Sequence, residues 1–211
     1  TLPRCEGCGF SGSPHEKGCT YTGLFEVAKE LEKSGVETEI VHIGKKPIGG
    51  CIGCGGCSGK GKCVFGADGV NSIIEKAETA DGFIFGSPVH YAAAAGNMAS
   101  LLDRVFYAGK QCFAYKPGAV IVSCRRGGAT ATFDQLNKYM TINNMLIVGS
   151  QYWNMIHGSR AEDVAQDEEG LQTMRTLGRN MAWILNCIEA GKAAGVLLPE
   201  KEPILRTNFI R

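Results

Sequence analysis

Segments with strand-like and helix-like periodicity alternate along the chain with little left over, and this alternation limits the fold more than any composition figure. Residues 37–43, 81–87, 118–124 and 144–149 are short apolar runs bounded by turn residues and read as strands. Between them the apolar residues keep helical spacing. Leu24, Val27, Ala28 and Leu31 follow Thr20 or Thr22 as N-cap. Val70, Ile73, Ile74 and Ala77 mark a second helix, Met98, Leu101, Leu102 and Val105 a third, and Phe133, Leu136 and Met140 a fourth. A last helix is expected from Asp167 to Ala190, with Leu171, Met174, Leu177, Met181, Ile184 and Ile188 on one face. Alternating β and α predicts an α/β fold in which helices cover both faces of a parallel sheet. Topology also requires a strand before Ser11, although Arg4 to Phe10 holds only one large apolar residue.

With 211 residues, 44% of them hydrophobic, the chain is long enough to bury a core as one domain. No linker, internal repeat or low-complexity tract divides it. The tail from Gly195 to Arg211, with Pro199 and Pro203, reads as extended and suited to wrap a neighbouring subunit. The 22 Lys and Arg against 21 Asp and Glu leave a formal charge of +1, which argues against a dedicated nucleic-acid binder or a polybasic membrane-surface protein. Thr1 to Phe10 has no basic-then-apolar leader pattern, and no apolar run approaches membrane-spanning length. The expectation is a cytoplasmic protein whose cysteines are thiols or metal ligands.

Glycine and cysteine are both unusual, at 29 and 10 residues. Ten of the glycines lie between Gly44 and Gly69, and the same span holds Cys51, Cys54, Cys57 and Cys63. Three thiols at two-residue gaps with a fourth close by have the spacing to wrap an iron–sulfur cubane. Zinc on the same four thiolates is the chemical competitor, and metal-free thiols are the bland reading. Cys5, Cys8, Cys19, Cys112, Cys124 and Cys187 have no assigned role.

Three further loops carry candidate chemistry. Ser11 to Thr20, with Ser13, His15, Gly18 and Cys19, opens a helix whose unpaired N–H groups suit a phosphate monoester, although an ordinary capped turn would look similar. It matches neither GxxxxGK[ST] nor GxGxxG. Gly86-Ser87-Pro88-Val89-His90-Tyr91 follows the strand expected beside the first, at the switch point where doubly wound sheets bind ligands, and Tyr91 offers a flat aromatic face. Ser123-Cys124-Arg125-Arg126-Gly127-Gly128 follows the next strand; its arginines suit a pyrimidine edge or an anionic partner such as the NADPH phosphate, or else form a solvated turn. The four histidines have no ligand or triad spacing, and neither GxSxG nor HExxH occurs.

Together, Gly12-Ser13-Pro14 with Gly18-Cys19-Thr20, the four-cysteine loop, Ala80-Asp81-Gly82, the Gly86 to Tyr91 loop and Leu101-Leu102-Asp103-Arg104 resemble the NADPH-dependent FMN reductase superfamily, and within it the iron–sulfur flavoproteins. The sequence differs from that family's pattern at Cys5 to Phe10, where an aliphatic run is usual, and at Cys19, where Asn or Ser is usual. The resemblance implies a flavodoxin-like three-layer sandwich over residues 1–194, with a five-stranded parallel sheet in the order 2-1-3-4-5 and the cysteine-rich loop at 44–69; residues 195–211 form the tail.

It also implies one FMN per subunit. The phosphate would lie on Ser11, Ser13, His15, Cys19, Thr20 and Tyr21, and the ring against Pro88, Val89, His90, Tyr91 and Cys124, Arg125, Arg126, Gly127, Gly128. Homodimers or homotetramers are implied, with Trp153 and its neighbours placed near a partner's flavin. The activity expected is electron transfer between NAD(P)H or ferredoxin, FMN and a [4Fe-4S] cluster on Cys51, Cys54, Cys57 and Cys63, delivered to a quinone or another small acceptor, with no side chain acting as nucleophile. A cluster-free NAD(P)H-dependent FMN or quinone reductase and a non-catalytic flavodoxin-like carrier are the alternatives.

Overall fold

The structure is a computed structural model that describes residues 6–205, 207 and 209. In chain order its elements are β1 (Glu6–Ser11), α1 (Cys19–Lys33), β2 (Glu37–His42), α2 (Val70–Thr79), β3 (Gly82–His90), β4 (Ala93–Ala94), α3 (Gly96–Gly109), β5 (Pro117–Cys124), α4 (Ala129–Ile142), β6 (Leu146–Ile147), β7 (Met155–His157) and α5 (Glu168–Ala193). The main path of the sheet is β2-β1-β3-β5-β6, all parallel, so the expected strands take the flavodoxin-like order. Beyond the expected five, β4 folds back antiparallel on β3, and β7 adds parallel to β5.

The sheet edge explains one difference from the sequence reading. The strand expected over 144–149 shrinks to Leu146–Ile147, paired with Pro117 and Gly118. The chain then loops outward and rejoins β5 as Met155–His157, opposite Val122 to Cys124. Val122 N donates to Asn154 O at 2.9 Å, while Asn180 Nδ2 holds Gly149 O at 2.8 Å. An edge strand has no second neighbour to enforce continuity, so an excursion of a few residues interrupts few ladder bonds.

β1 forms despite its composition because its two faces are filled differently. Cys8 and Phe10 point to the side covered by α2, α3 and α4, where Phe10 stacks on Phe85 with centroids 5.6 Å apart. On the other face, a Cβ on Gly9 would lie 3.4 Å from Leu24 Cδ2, and one on Gly7 would lie 3.7 Å from Leu31 Cδ1. The leucines of α1 thus supply the apolar contact that the strand's own residues lack. The same alternation runs along β3, with Phe83 and Phe85 on the first face and Ile84 on the second. The second core contains Leu24, Val27, Leu31, Ile121, Ile156, Met174, Leu177 and Met181, between the sheet and the pair α1 and α5.

Neither threonine expected to cap α1 does so. The helix starts at Cys19 with Gly18 at the N-cap and no side-chain cap, Thr20 is buried in the first turn, and Thr22 Oγ1 donates back to Gly18 O at 3.2 Å. α5 is capped by Asp167, whose carboxylate accepts from Gly170 N at 2.9 Å. Beyond Ala193 the described residues form no helix or strand, and Leu197, Leu198, Ile204 and Leu205 are exposed. Among the described residues no helix is long and apolar enough to cross a membrane.

α1 and α5 approach closely at Gly178, where an added Cβ would lie 2.7 Å from Glu30 Cβ and 2.8 Å from the Val27 carbonyl oxygen. Backbone on one side cannot yield cheaply, so Gly178→Ala is expected to destabilise by about 1–3 kcal/mol through overpacking, although Ala is the better helix former by about 1 kcal/mol. Thermal denaturation should show a Tm lowered by several degrees; an unchanged or raised Tm would contradict this packing.

Candidate functional site: two cavities

The loops after β1, β3 and β5 leave the sheet on its carboxyl edge and enclose a cavity of about 540 Å³, within the range of small-molecule sites. Its first wall is Ser13, His15, Lys17, Gly18, Cys19 and Thr20, its second Pro88 and Val89, and its third Ser123, Cys124 and Arg125. A fourth wall, Gly158 to Glu162, was missed in the sequence reading. Its only signal was a Gly-Ser-Arg stretch between the last strand and the last helix. Asp163 holds this wall in place by accepting from Ser159 N and Arg160 N at 2.8 and 2.9 Å.

Short bonds and small residues hold these loops together. Gly12 N donates to Gly86 O at 2.8 Å, and a Cβ on Gly12 would lie 2.7 Å from Met98 Cβ, so the first loop rests directly on α3. Ser13 Oγ accepts from His15 N at 3.1 Å, while His42 Nε2 donates to Ser13 O at 2.8 Å. Thr20 Oγ1 and Ser123 Oγ are 2.7 Å apart, which ties the first turn of α1 to the end of β5. Because no side chain caps α1, its first N–H groups remain available at the cavity wall, with the cations Lys17, Arg125 and Arg160 around them. This donor set fits a phosphate monoester, and the volume leaves room for an attached ring.

Eight of the fifteen residues expected to bind the cofactor line the cavity: Ser13, His15, Cys19, Thr20, Pro88, Val89, Cys124 and Arg125. Ser11, Tyr21, His90, Tyr91, Arg126, Gly127 and Gly128 do not. Ser11 is buried in β1 and its Oγ has no partner. Tyr21 stacks on Phe25, with ring centroids 6.0 Å apart. Tyr91 and Ala92 form the two-residue turn between β3 and β4, both at positive φ (51° and 57°). Such a turn normally takes Asn-Gly, so a bulky Tyr there stores strain. Gly128, at φ 88°, passes so close to this turn that a Cβ would lie 2.8 Å from Ala92 Cα. The strained turn leaves the Tyr91 ring fully exposed.

Burial pushes the thiols of Cys19 and Cys124 up, so both stay protonated at neutral pH beside the cavity. Burial likewise raises Cys112, and with the nearby Glu39 charge it pushes Cys8 up to about 12. Cys187 is exposed on α5, and Cys5 lies outside the described residues.

The loop after β2 forms a second cavity, of about 200 Å³, lined by all four cysteines of the motif, Cys51, Cys54, Cys57 and Cys63, with Ile52, Phe65, Arg104 and Tyr107. The loop has neither helix nor strand, and Gly53, Gly55, Gly59 and Gly61 all adopt left-handed conformations that let it wind back on itself. Among the described residues no three His, Cys, Asp or Glu side chains converge as a site for one metal ion. All four motif cysteines line this one cavity, and four thiolates are the donor set that holds an iron–sulfur cluster.

The model of the family described as NADPH-dependent FMN reductase matches residues 8–159. An iron-sulfur flavoprotein of Methanocaldococcus jannaschii is 33% identical over 189 residues, covering 86% of this chain and 97% of its own. An iron-sulfur flavoprotein of Methanosarcina thermophila is 30% identical over 190 residues, covering 87% and 97%. Among solved structures, RosB with a bound formylated riboflavin phosphate intermediate superimposes with a TM-score of 0.67 at 12% identity, over 98% of this chain and 92% of that one. An NAD(P)H:quinone oxidoreductase from Methanothermobacter marburgensis gives 0.64 at 16% identity, over 85% and 96%. These structural likenesses show the fold, and the sequence matches show the family: the chain belongs to the NADPH-dependent FMN reductases and, within them, to the iron–sulfur flavoproteins.

Proposed function

We propose that this protein is an FMN-dependent oxidoreductase that moves electrons between a hydride donor such as NAD(P)H, or a ferredoxin, and a small acceptor, by way of a [4Fe-4S] cluster on Cys51, Cys54, Cys57 and Cys63. The observation that carries the reading is a pair of cavities, one at the carboxyl edge walled by an uncapped helix N-terminus and three cations, the other walled by the four motif cysteines on the loop that leaves β2 from that edge. FMN supplies the exchange between two-electron and one-electron chemistry, and a cluster supplies a one-electron centre.

The chain's own residues bind, orient and shield. The N–H groups at the start of α1, with Thr20 and Lys17, hold the phosphate. Pro88 and Val89 give the ring an apolar wall that excludes water. Cys19 and Cys124, kept protonated by burial, add no negative charge beside the flavin.

Protein purified anaerobically should carry FMN together with matching iron and acid-labile sulfide. Cys54→Ala should lose most of the iron while retaining FMN. A flavin-only spectrum, with NAD(P)H-driven quinone reduction intact, would replace this reading with a cluster-free reductase; absence of turnover with every acceptor would point to a carrier. In the flavin cavity, Thr20→Val removes the hydroxyl bonded to Ser123 with little change in shape. It should weaken FMN binding about tenfold, or about 1.4 kcal/mol, in a fluorescence-quenching titration, and unchanged affinity would remove Thr20 from the site.

A further inference from the structure

The Leu101-Leu102-Asp103-Arg104 motif helped to identify the family, yet the flavin cavity does not use it. Arg104 leaves α3 and is 4% exposed. Each of its five N–H groups has an acceptor, and all the acceptors lie in the cysteine loop. Nε and Nη2 both donate to Cys63 Sγ at 3.4 Å, Nη1 donates to Gly49 O at 3.1 Å and to the Asp68 carboxylate, and Nη2 donates to Phe65 O. One guanidinium therefore grips the loop just before its first motif cysteine and just after its last.

The rest of α3 has the same division of labour. Asn97 bonds Ile48 N at 3.2 Å and Lys46 O at 3.0 Å, Gly50 passes Ser100, and Cys57 Sγ reaches Tyr107 O at 3.8 Å. Positions 97, 100, 104 and 107 form one helical stripe, about 15 Å long at 1.5 Å per residue. Met98, Leu101, Leu102 and Val105 form the other stripe and are buried in the core, where Met98 supports Gly12 of the phosphate loop.

We infer that Arg104 is the positioning residue of the cysteine site: it aims Cys63 into the cavity, closes the loop at both ends, and places a fixed cation and two N–H···S bonds beside one thiolate ligand. This rests on the reading of the four cysteines as cluster ligands. A neighbouring cation and hydrogen bonds to sulfur favour the reduced, more negative state of a cluster, so Arg104 raises its reduction potential. Asp68 moderates that field. Burial pushes its carboxyl up, but the hydrogen bond and charge of Arg104 outweigh this and hold it below the usual carboxylate range. Arg rather than Lys is required because only a planar fork reaches the sulfur, the carboxylate and two carbonyls at once.

The test uses the full chain purified anaerobically with FMN bound, comparing wild type, R104K, R104Q and the double variant D68N/R104Q, which leaves no unpaired carboxylate. FMN occupancy reports that the fold persists. R104Q should lower the cluster's potential by at least the equivalent of a tenfold change in its reduction equilibrium, about 59 mV for one electron, or lose the cluster while keeping FMN; the double variant, which also loses the moderating carboxylate, should shift it in the same direction by less. R104K, which keeps the charge without the fork, should stay within that limit but release iron to a chelator several-fold faster than wild type. Variants with wild-type potential and wild-type iron release would overturn the role of Arg104 and leave the cluster reading standing. A wild-type protein without iron or sulfide would overturn both.

Discussion

Every strand-to-helix connection in a parallel sheet leaves by the carboxyl edge, and in this protein all the candidate chemistry depends on that constraint. The loops after β1, β3 and β5 enclose the larger cavity, and the loop after β2 forms the cysteine cavity. Close contact fixes their relative placement: Gly12 and Gly86 are tied by a backbone bond, Gly12 lies on Met98, and the polar stripe of α3 continues to the cysteines. α3 is thus a strut, with one face built into the core and the other carrying a loop that has no regular structure of its own. A change that moves α3 would alter both cavities together.

Much of this was legible in the sequence because amphipathic helices announce themselves. The apolar residues read on the first three helices are all buried, and the strand order follows from their alternation with strands. β1 was hard to read for a physical reason: half of its core contact comes from leucines on α1 that lean over Gly7 and Gly9. The outer edge was hard to read because an edge strand tolerates the excursion that separates β6 from β7. The wall from Gly158 to Glu162 and the grip of Arg104 depend on tertiary proximity across many residues, which local pattern does not encode. The turn at Tyr91 and Ala92 lacks the Asn-Gly signature of its backbone class, so strain hid it.

Eight of the nine described cysteines sort into two groups by environment, and the ninth, Cys187, is exposed on α5. Cys8, Cys19, Cys112 and Cys124 are pushed up by burial and behave as small core or wall residues. Cys51, Cys54, Cys57 and Cys63 share a cavity on a loop whose left-handed glycines let it turn repeatedly, with one arginine closing its ends. High cysteine content therefore has two separate causes in this chain, packing and a candidate ligand set. Only the second draws a dedicated polar scaffold from a neighbouring helix.

The proposed function requires that flavin and cluster work as one electron path. Rapid mixing under anaerobic conditions tests it most directly, by comparing how fast NADPH or NADH bleaches the cluster's broad visible absorbance in FMN-loaded protein and in the same protein stripped of flavin. The account predicts flavin bleaching followed by cluster bleaching in the loaded protein, and no comparable cluster reduction without flavin. Equal cluster reduction in both, or a cluster that stays oxidised while the flavin is fully reduced and turning over, would contradict it.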